Sequence, residues 1–340
     1  MISGATARYN AVMAQSILVL RPGALGDAVL TLPVLRALRD AGADRITILG
    51  TPASWAFLNA GRCSVLDFSS SLWLGLFNSD VAFDPRGAAA LRGIDFAVLY
   101  LGADTAQVVA ALRKLGVREI VCVDPPRAGV AYPKHAARIL LDPLREWFGG
   151  EDSFGRALLP DVESDSAFLA LSPDEKQRAR AYLETLGAPG ESAQFVAIHP
   201  GSGGRWKCWP AERYAAFSHA LVELGCTPLL IFGPADDAVR KEFDAAQPAA
   251  NCIRISNRPL RELLGILSLC SGCVGNDSGV SHLAAQVVPT LAIFGVSDPG
   301  IWSPLGCCRV LRAADEKLTS VTVQETIDAF NALTAERPPR

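Results

Sequence analysis

The stretch "ILVLRPGALGDAVLTLPVLRALRD", Ile17 to Asp40, decides the fold class. Four apolar residues end at Arg21, a glycine-containing turn follows, and after Asp27 the apolar residues recur at helical spacing. A short apolar run without alternation reads as a strand buried on both faces. Strand, turn and helix in that order form the opening unit of a parallel α/β sheet. The turn lacks the G-x-G-x-x-G of a dinucleotide site and carries an acid at its mouth in place of a third glycine.

The same alternation extends outward from this unit. Apolar runs at 17–20, 45–49, 64–68, 96–100 and 119–123 are separated by amphipathic stretches such as "AVLTLPVLRALRDAG" and "TAQVVAALRKLG". From about residue 150 to 190 the pattern breaks into a polar stretch, within which Ser172-Pro173-Asp174-Glu175 opens a helix. It then restarts, with strands expected at 195–199, 227–232, 252–256, 273–276 and 290–295. Helices are expected at 211–224, 235–246, 260–270, from 279, and at about 322–335. The expected organisation is an N-terminal domain over 1–165, a linker region over 166–192 and a C-terminal domain over 193–340. The last helix is free to pack on either domain. Both domains read as doubly wound parallel sheets, and two such sheets would enclose a cleft, because ligands bind outside the carboxyl ends of parallel strands.

Composition narrows the partners. A chain of 340 residues exceeds a single core and fits two domains of roughly 150 residues each. A net charge of −3 gives no reason to expect nucleic acid. The nine cysteines are scattered, "MISGATARYNAVMAQS" has no apolar core of a secretory signal, and no apolar run approaches a membrane span of ~20 residues. The expected location is therefore a reducing cytoplasm. Cys270-Ser-Gly-Cys273 has no second pair at zinc spacing, so it reads as core rather than as a metal site.

Three loops at strand ends carry chemistry. In "RPGALGDA", Gly23 and Gly26 allow close backbone approach. Asp27 has two readings, a cap for the following helix or a general base at a cleft mouth. In "HPGSGGRWKCWP", His199 to Pro210, exposed amides and Lys207 could cradle phosphate, or the segment is a glycine-rich turn with a surface lysine. Gly-Lys-Ser/Thr is missing, so the loop is not of the Walker type. In "VGNDSGVSHLAA", Val274 to Ala285, Asp277 and Ser278 are good caps, and His282 is either a ligand-binding or a packed histidine.

Together the three segments resemble glycosyltransferase family 9, the lipopolysaccharide heptosyltransferases. They occur in the order and spacing of that family across nearly the whole chain, with "GPADD" (233–237) and "RELLGILSLC" (261–270) fitting the segments between the last two. The resemblance implies a GT-B fold, two facing Rossmann-like domains. It implies an inverting, metal-independent transferase that moves a heptose or related sugar from ADP-heptose to a hydroxyl of a lipopolysaccharide core acceptor. Asp27 would be the general base, with Arg21, Gly23 and Gly26 on the acceptor side. Lys207 would neutralise the diphosphate, Gly201 and Ser202 would hold the phosphates, and Asp277, Ser278, Gly279 and His282 would bind donor sugar and phosphate. No cofactor or metal is expected, only a nucleotide-diphosphate sugar and a glycolipid or oligosaccharide acceptor, with peripheral contact at the inner face of the inner membrane. A basic cluster of Arg113, Lys114, Arg118, Arg127, Lys134, His135 and Arg138 either attracts that anionic acceptor or is a solvated face. Two further readings of the same site are a nucleotide-sugar epimerase or hydrolase and a nucleotide-binding module without turnover.

Overall fold

The computed structural model describes residues 16–102, 105–144, 168–190 and 193–335. The leader containing Met13 and the polar stretch 145–167 lie outside these residues. The described residues form two compact units, one up to Leu169 and one from Ala170 onward.

The first unit is built on five parallel strands, β1 (Ser16–Arg21), β2 (Arg45–Gly50), β3 (Ser64–Asp67), β4 (Phe96–Tyr100) and β5 (Glu119–Val123). Their spatial order is β3-β2-β1-β4-β5. Every residue of β1 and β4 is buried, which is why these strands read as unbroken apolar runs instead of alternating ones. Leu18, Leu20 and Leu99 from the central strands pack with Val108 and Leu112 into one core.

The stretch after β1 differs from the single helix its spacing predicts. It forms α1 (Leu25–Leu30) and α2 (Leu32–Asp40), broken at Thr31. Pro33 causes the break, because it lacks an amide proton and its ring collides with the carbonyl four residues earlier. The Thr31 hydroxyl closes the first segment by donating to the Asp27 carbonyl at 2.7 Å. The basic cluster of this unit is largely self-neutralised. Arg118 pairs with Asp95 and Arg127 with Asp124, each at 2.9 Å, while Lys134 reaches Asp142 at 2.6 Å. The His135 ring accepts the Ala137 amide as a helix cap.

The second unit holds six parallel strands: β6 (Gln194–His199), β7 (Cys226–Phe232), β8 (Ile253–Ser256), β9 (Cys270–Asn276), β10 (Thr290–Phe294) and β11 (Cys308–Arg312). They run in the order β11-β10-β9-β6-β7-β8. Strand order reverses between β1 and β4 in the first unit and between β6 and β9 in the second. Those reversals are the points at which open α/β sheets bind ligands. Two differences from the sequence reading stand out. The edge strand β11 was not expected, because "CRVLR" is half-buried and carries two arginines. The helix expected over 260–270 ends at Ser268, and β9 starts at Cys270 despite a Cys-Ser-Gly opening that favours no strand. Pairing with β6, through a register shift at Phe195/Val196, overrides local preference there.

Further helices include α3 (Ala106–Lys114), which carries Val108 and Leu112, α4 (Pro173–Thr185), α5 (Ala211–Glu223), α6 (Asp237–Ala245), α7 (Leu260–Ser268), α8 (Gly279–Ala284) and α9 (Val323–Ala335). The last packs within the second unit, where Phe330 meets Phe217 edge-to-face at 6.0 Å between ring centroids. The start of α4 is built reciprocally. Ser172 Oγ accepts the Glu175 amide and Glu175 Oε2 accepts the Ser172 amide. The same carboxylate receives two bonds from the Arg261 guanidinium of α7, at 2.7 and 3.0 Å. Arg261 and the Ser172 amide hold Glu175 down to about 2. A depressed carboxyl contributes stability that is present above its unfolded value of about 4.3 and is lost as pH falls through its folded value. Glu175→Gln should therefore cost roughly 2 kcal/mol at pH 7 in urea unfolding, less than the whole shift implies because the carboxyl keeps some solvent contact. The difference from the parent protein should vanish near pH 2; a deficit unchanged across that range would mean lost packing, not lost charge.

Candidate active site

At the end of β1, Arg21 is buried while its guanidinium turns toward the first helix. Nη2 donates to Asp27 Oδ1 at 2.8 Å, and the guanidinium carbon lies 5.8 Å from the centre of the Tyr100 ring. Burial pushes Arg21 below its ordinary value and the Asp27 carboxylate offsets part of that. Asp27 was read as a cap or a base. It does not occupy the capping position, which is Ala24, but lies in the first turn and reaches back to the Ala24 amide through Oδ2 at 3.0 Å. Each carboxylate oxygen thus accepts one bond and keeps a second lone pair, and the side chain is one-third exposed at 34%. Gly23 makes this approach feasible: its φ is +144°, and a Cβ there would sit 2.6 Å from Asp27 Oδ2. Gly26 lies within α1. Arg21, Gly23 and Asp27 therefore form one local constellation.

The second unit joins its two expected loops. Lys207 Nζ donates to Asp277 Oδ2 at 2.6 Å, with 24% and 10% of the two side chains exposed. The Ser202 hydroxyl donates to the Asp277 carbonyl at 2.6 Å. The loop after β6 is therefore tied to the loop after β9 through Asp277. Asp277 is not a helix cap; that position belongs to Ser278, whose hydroxyl accepts the Ser281 amide. Gly279 opens α8, and His282, its fourth residue, is buried. Gly201 presses against Asp236: a Cβ at 201 would fall 2.1 Å from Asp236 Oδ1. Any side chain at 201 must displace the buried Asp236 carboxylate or the loop itself.

Three groups to which the sequence reading gave no role support these loops. Asp236 is buried and accepts the Gly233 amide at 2.6 Å. His199 lies 4.0 Å from Asp236 and places Nδ1 3.1 Å from the Ile231 carbonyl. That contact assigns the proton to Nδ1, and burial lowers the ring below its ordinary value. Asn276, fully buried at the end of β9, touches both ends of the 200–209 segment. The only signals in the sequence were a histidine and an asparagine at the carboxyl ends of apolar strands. Cys270 and Cys273 are buried thiols, and burial pushes Cys273 up. Among the described residues, no three His, Cys, Asp or Glu side chains gather as metal ligands, and no helix is long and apolar enough to cross a membrane.

Two parallel-sheet α/β units, each with its chemistry-bearing loops at the reversal of strand order, define a GT-B fold. Residues 158–326 of the chain match the model of glycosyltransferase family 9 (heptosyltransferase). The matched segment includes Lys207 and Asp277 but not Asp27. Lipooligosaccharide heptosyltransferase 2 of Haemophilus influenzae is 26% identical over 162 residues, 45% of this chain and 47% of that protein. The chain thus spans about half the length of the curated relatives it matches. Among solved structures, a glycosyl transferase family 9 protein from Veillonella parvula superposes with a TM-score of 0.75 at 20% identity, covering 95% of this chain and 98% of that one. The ADP-heptose lps heptosyltransferase II of E. coli does so with a TM-score of 0.71 at 20% identity, covering 94% and 99%. At that identity the likeness establishes the fold alone.

Proposed function

We propose that the protein is an inverting glycosyltransferase that moves a heptose or related sugar from ADP-heptose to a hydroxyl of a lipopolysaccharide core acceptor, without a catalytic metal. The observation that carries this reading is the Lys207–Asp277 pair at 2.6 Å, set between two loops at the sheet's point of strand reversal. Lys207 brings three donors and gives one to Asp277, leaving donors for a diphosphate. Ser202 is tied to the same Asp277 through its hydroxyl, and Gly201 and Ser202 would hold the phosphates. Asp277, Ser278, Gly279 and His282 would line the donor sugar and its inner phosphate.

In the proposed reaction Asp27 takes the proton of the acceptor hydroxyl. The freed oxygen attacks the anomeric carbon from the face opposite the leaving group, and the bond from carbon to the diphosphate oxygen breaks, which inverts the configuration. The departing ADP gathers negative charge, which Lys207 stabilises. Arg21 holds the Asp27 carboxylate in place, with Gly23 and Gly26 bordering the acceptor. The family match over residues 158–326 and the curated relatives named as lipopolysaccharide or lipooligosaccharide heptosyltransferases support the choice of sugar and acceptor. Such a substrate would place the protein in the cytoplasm, in peripheral contact with the inner face of the inner membrane.

Calorimetric titration with ADP, UDP, GDP and ADP-heptose tests the donor. ADP and its heptose should bind at least about tenfold more tightly than the other nucleotides, and the transferred sugar's anomeric configuration should be inverted in the product. A preference for UDP or GDP would overturn the donor assignment. Release of ADP without an acceptor would favour hydrolysis or epimerisation.

A further inference from the structure

Asn276 ends β9 with its side chain fully buried. Its Nδ2 donates to the Pro200 carbonyl at 2.8 Å and to the Gly201 carbonyl at 3.2 Å. Its Oδ1 accepts the Trp209 amide at 2.9 Å and the Tyr214 hydroxyl at 3.0 Å. A primary amide has two donor protons and two acceptor lone pairs, so every valence of this side chain is used. The partners also fix its orientation: a flipped amide would set its protons against two donors and its oxygen against two carbonyls.

These partners are not scattered. Pro200 and Gly201 begin the loop that follows β6, Trp209 ends it, and Tyr214 stands behind it on α5. One buried amide therefore clamps both ends of the segment that carries Ser202 and Lys207. Both of those residues contact Asp277, the residue next to Asn276 in the chain. Only an amide satisfies the arrangement. A carboxylate would keep the two accepted bonds but face two carbonyl oxygens with no proton to offer, and an aliphatic side chain would strand four polar groups in the interior.

We propose that Asn276 is a positioning residue for the donor site: it sets the Pro200–Trp209 loop so that Ser202 and Lys207 meet Asp277, and through that placement it sets the affinity for a nucleoside diphosphate. The affinity part rests on the donor reading above; the loop-anchoring part does not.

The test compares Asn276→Asp and Tyr214→Phe with the parent in the full chain. Asn276→Asp removes the two bonds to the start of the loop, whereas Tyr214→Phe removes one bond on its far side. Hydrogen–deuterium exchange of the 200–209 segment should quicken about tenfold or more in Asn276→Asp and stay at the parent rate in Tyr214→Phe, although both variants melt at lower temperature. ADP affinity should fall about tenfold to a hundredfold in Asn276→Asp and stay within about twofold in Tyr214→Phe. Because a protonated carboxyl regains one donor, the affinity of Asn276→Asp relative to the parent should recover as pH falls from about 8 to about 6, a buried carboxyl among carbonyls being pushed up. A role confined to stability would move melting alone, with no difference between the variants in loop exchange and no pH rescue; that result overturns the proposal. Should the aspartate variant not fold, Asn276→Ser, whose hydroxyl is too short to span both ends of the loop, takes its place with the same expected exchange. If the parent binds no ADP, the donor reading fails by itself. Exchange then still decides the anchor, since equal rates in the variants overturn it.

Discussion

Asp27→Asn lowers transfer by about 10²- to 10⁴-fold while ADP affinity stays within about twofold; that is the expected result if the carboxylate is the base. Asparagine is the informative replacement because it keeps the shape and a carbonyl oxygen that can still accept from Arg21. Alanine would leave the buried Arg21 guanidinium without its carboxylate and cost about 1–3 kcal/mol of stability, confounding the reading. Insensitivity of ADP binding follows from placement. Asp27 is tied to Arg21 and Ala24 in the first unit, whereas Lys207, Ser202 and Asp277 are tied to one another in the second. Groups with no shared partners have nearly independent effects. Single-turnover rates and calorimetry on the same preparation check both halves. Undiminished turnover in Asp27→Asn removes the base; parallel loss of ADP affinity removes the division of labour.

How much of this was legible in the sequence depended on how local the cause was. Strands β1 and β4 were readable because both faces are buried and the residues are apolar without interruption. Strand β11 was not, because an edge strand with a half-solvated face needs no apolar run and here carries Arg309 and Arg312. The break between α1 and α2 was announced by Pro33 but masked by an apolar spacing that continues across it. In the site, the loop residues were found because glycines, acids and Lys207 gather at strand ends. What they do for each other was hidden. Asp27 shows a near miss: its bond to Ala24 spans three residues, and a cap was one of its two readings, yet the capping position itself is Ala24.

Long-range partners are the larger gap. Asn276 finds Pro200 76 residues away, and His199 finds Ile231 at a distance of 32 residues. No periodicity encodes such pairs; they exist only once β6 lies beside β7 and β9. The sequence thus names the groups that can meet a ligand, and the sheet topology determines which buried groups hold them in place.

Lys207→Ala carries the second large effect, a loss of ADP affinity of about 30-fold or more. A charge-assisted hydrogen bond to phosphate contributes about 1.5–3 kcal/mol, and each 1.4 kcal/mol is tenfold in affinity. The pairing in the free protein adds to that. With Lys207 removed, the Asp277 carboxylate, only 10% exposed, loses its cation and faces the incoming diphosphate with like charge. The size of that second contribution can be separated. Asp277→Asn in the Lys207→Ala background should recover part of the affinity, because it deletes the repulsion without restoring the cation, so the two changes should not add. Binding of adenosine, which has no phosphate, should be untouched by Lys207→Ala, and the ADP affinity of the parent should weaken with added salt more steeply than that of the variant. Equal losses for adenosine and ADP would mean that Lys207 shapes the loop and does not meet the diphosphate. A double variant no better than the single one would mean that Asp277 lies too far from the phosphates to oppose them, and its part in the donor site would then be confined to the sugar.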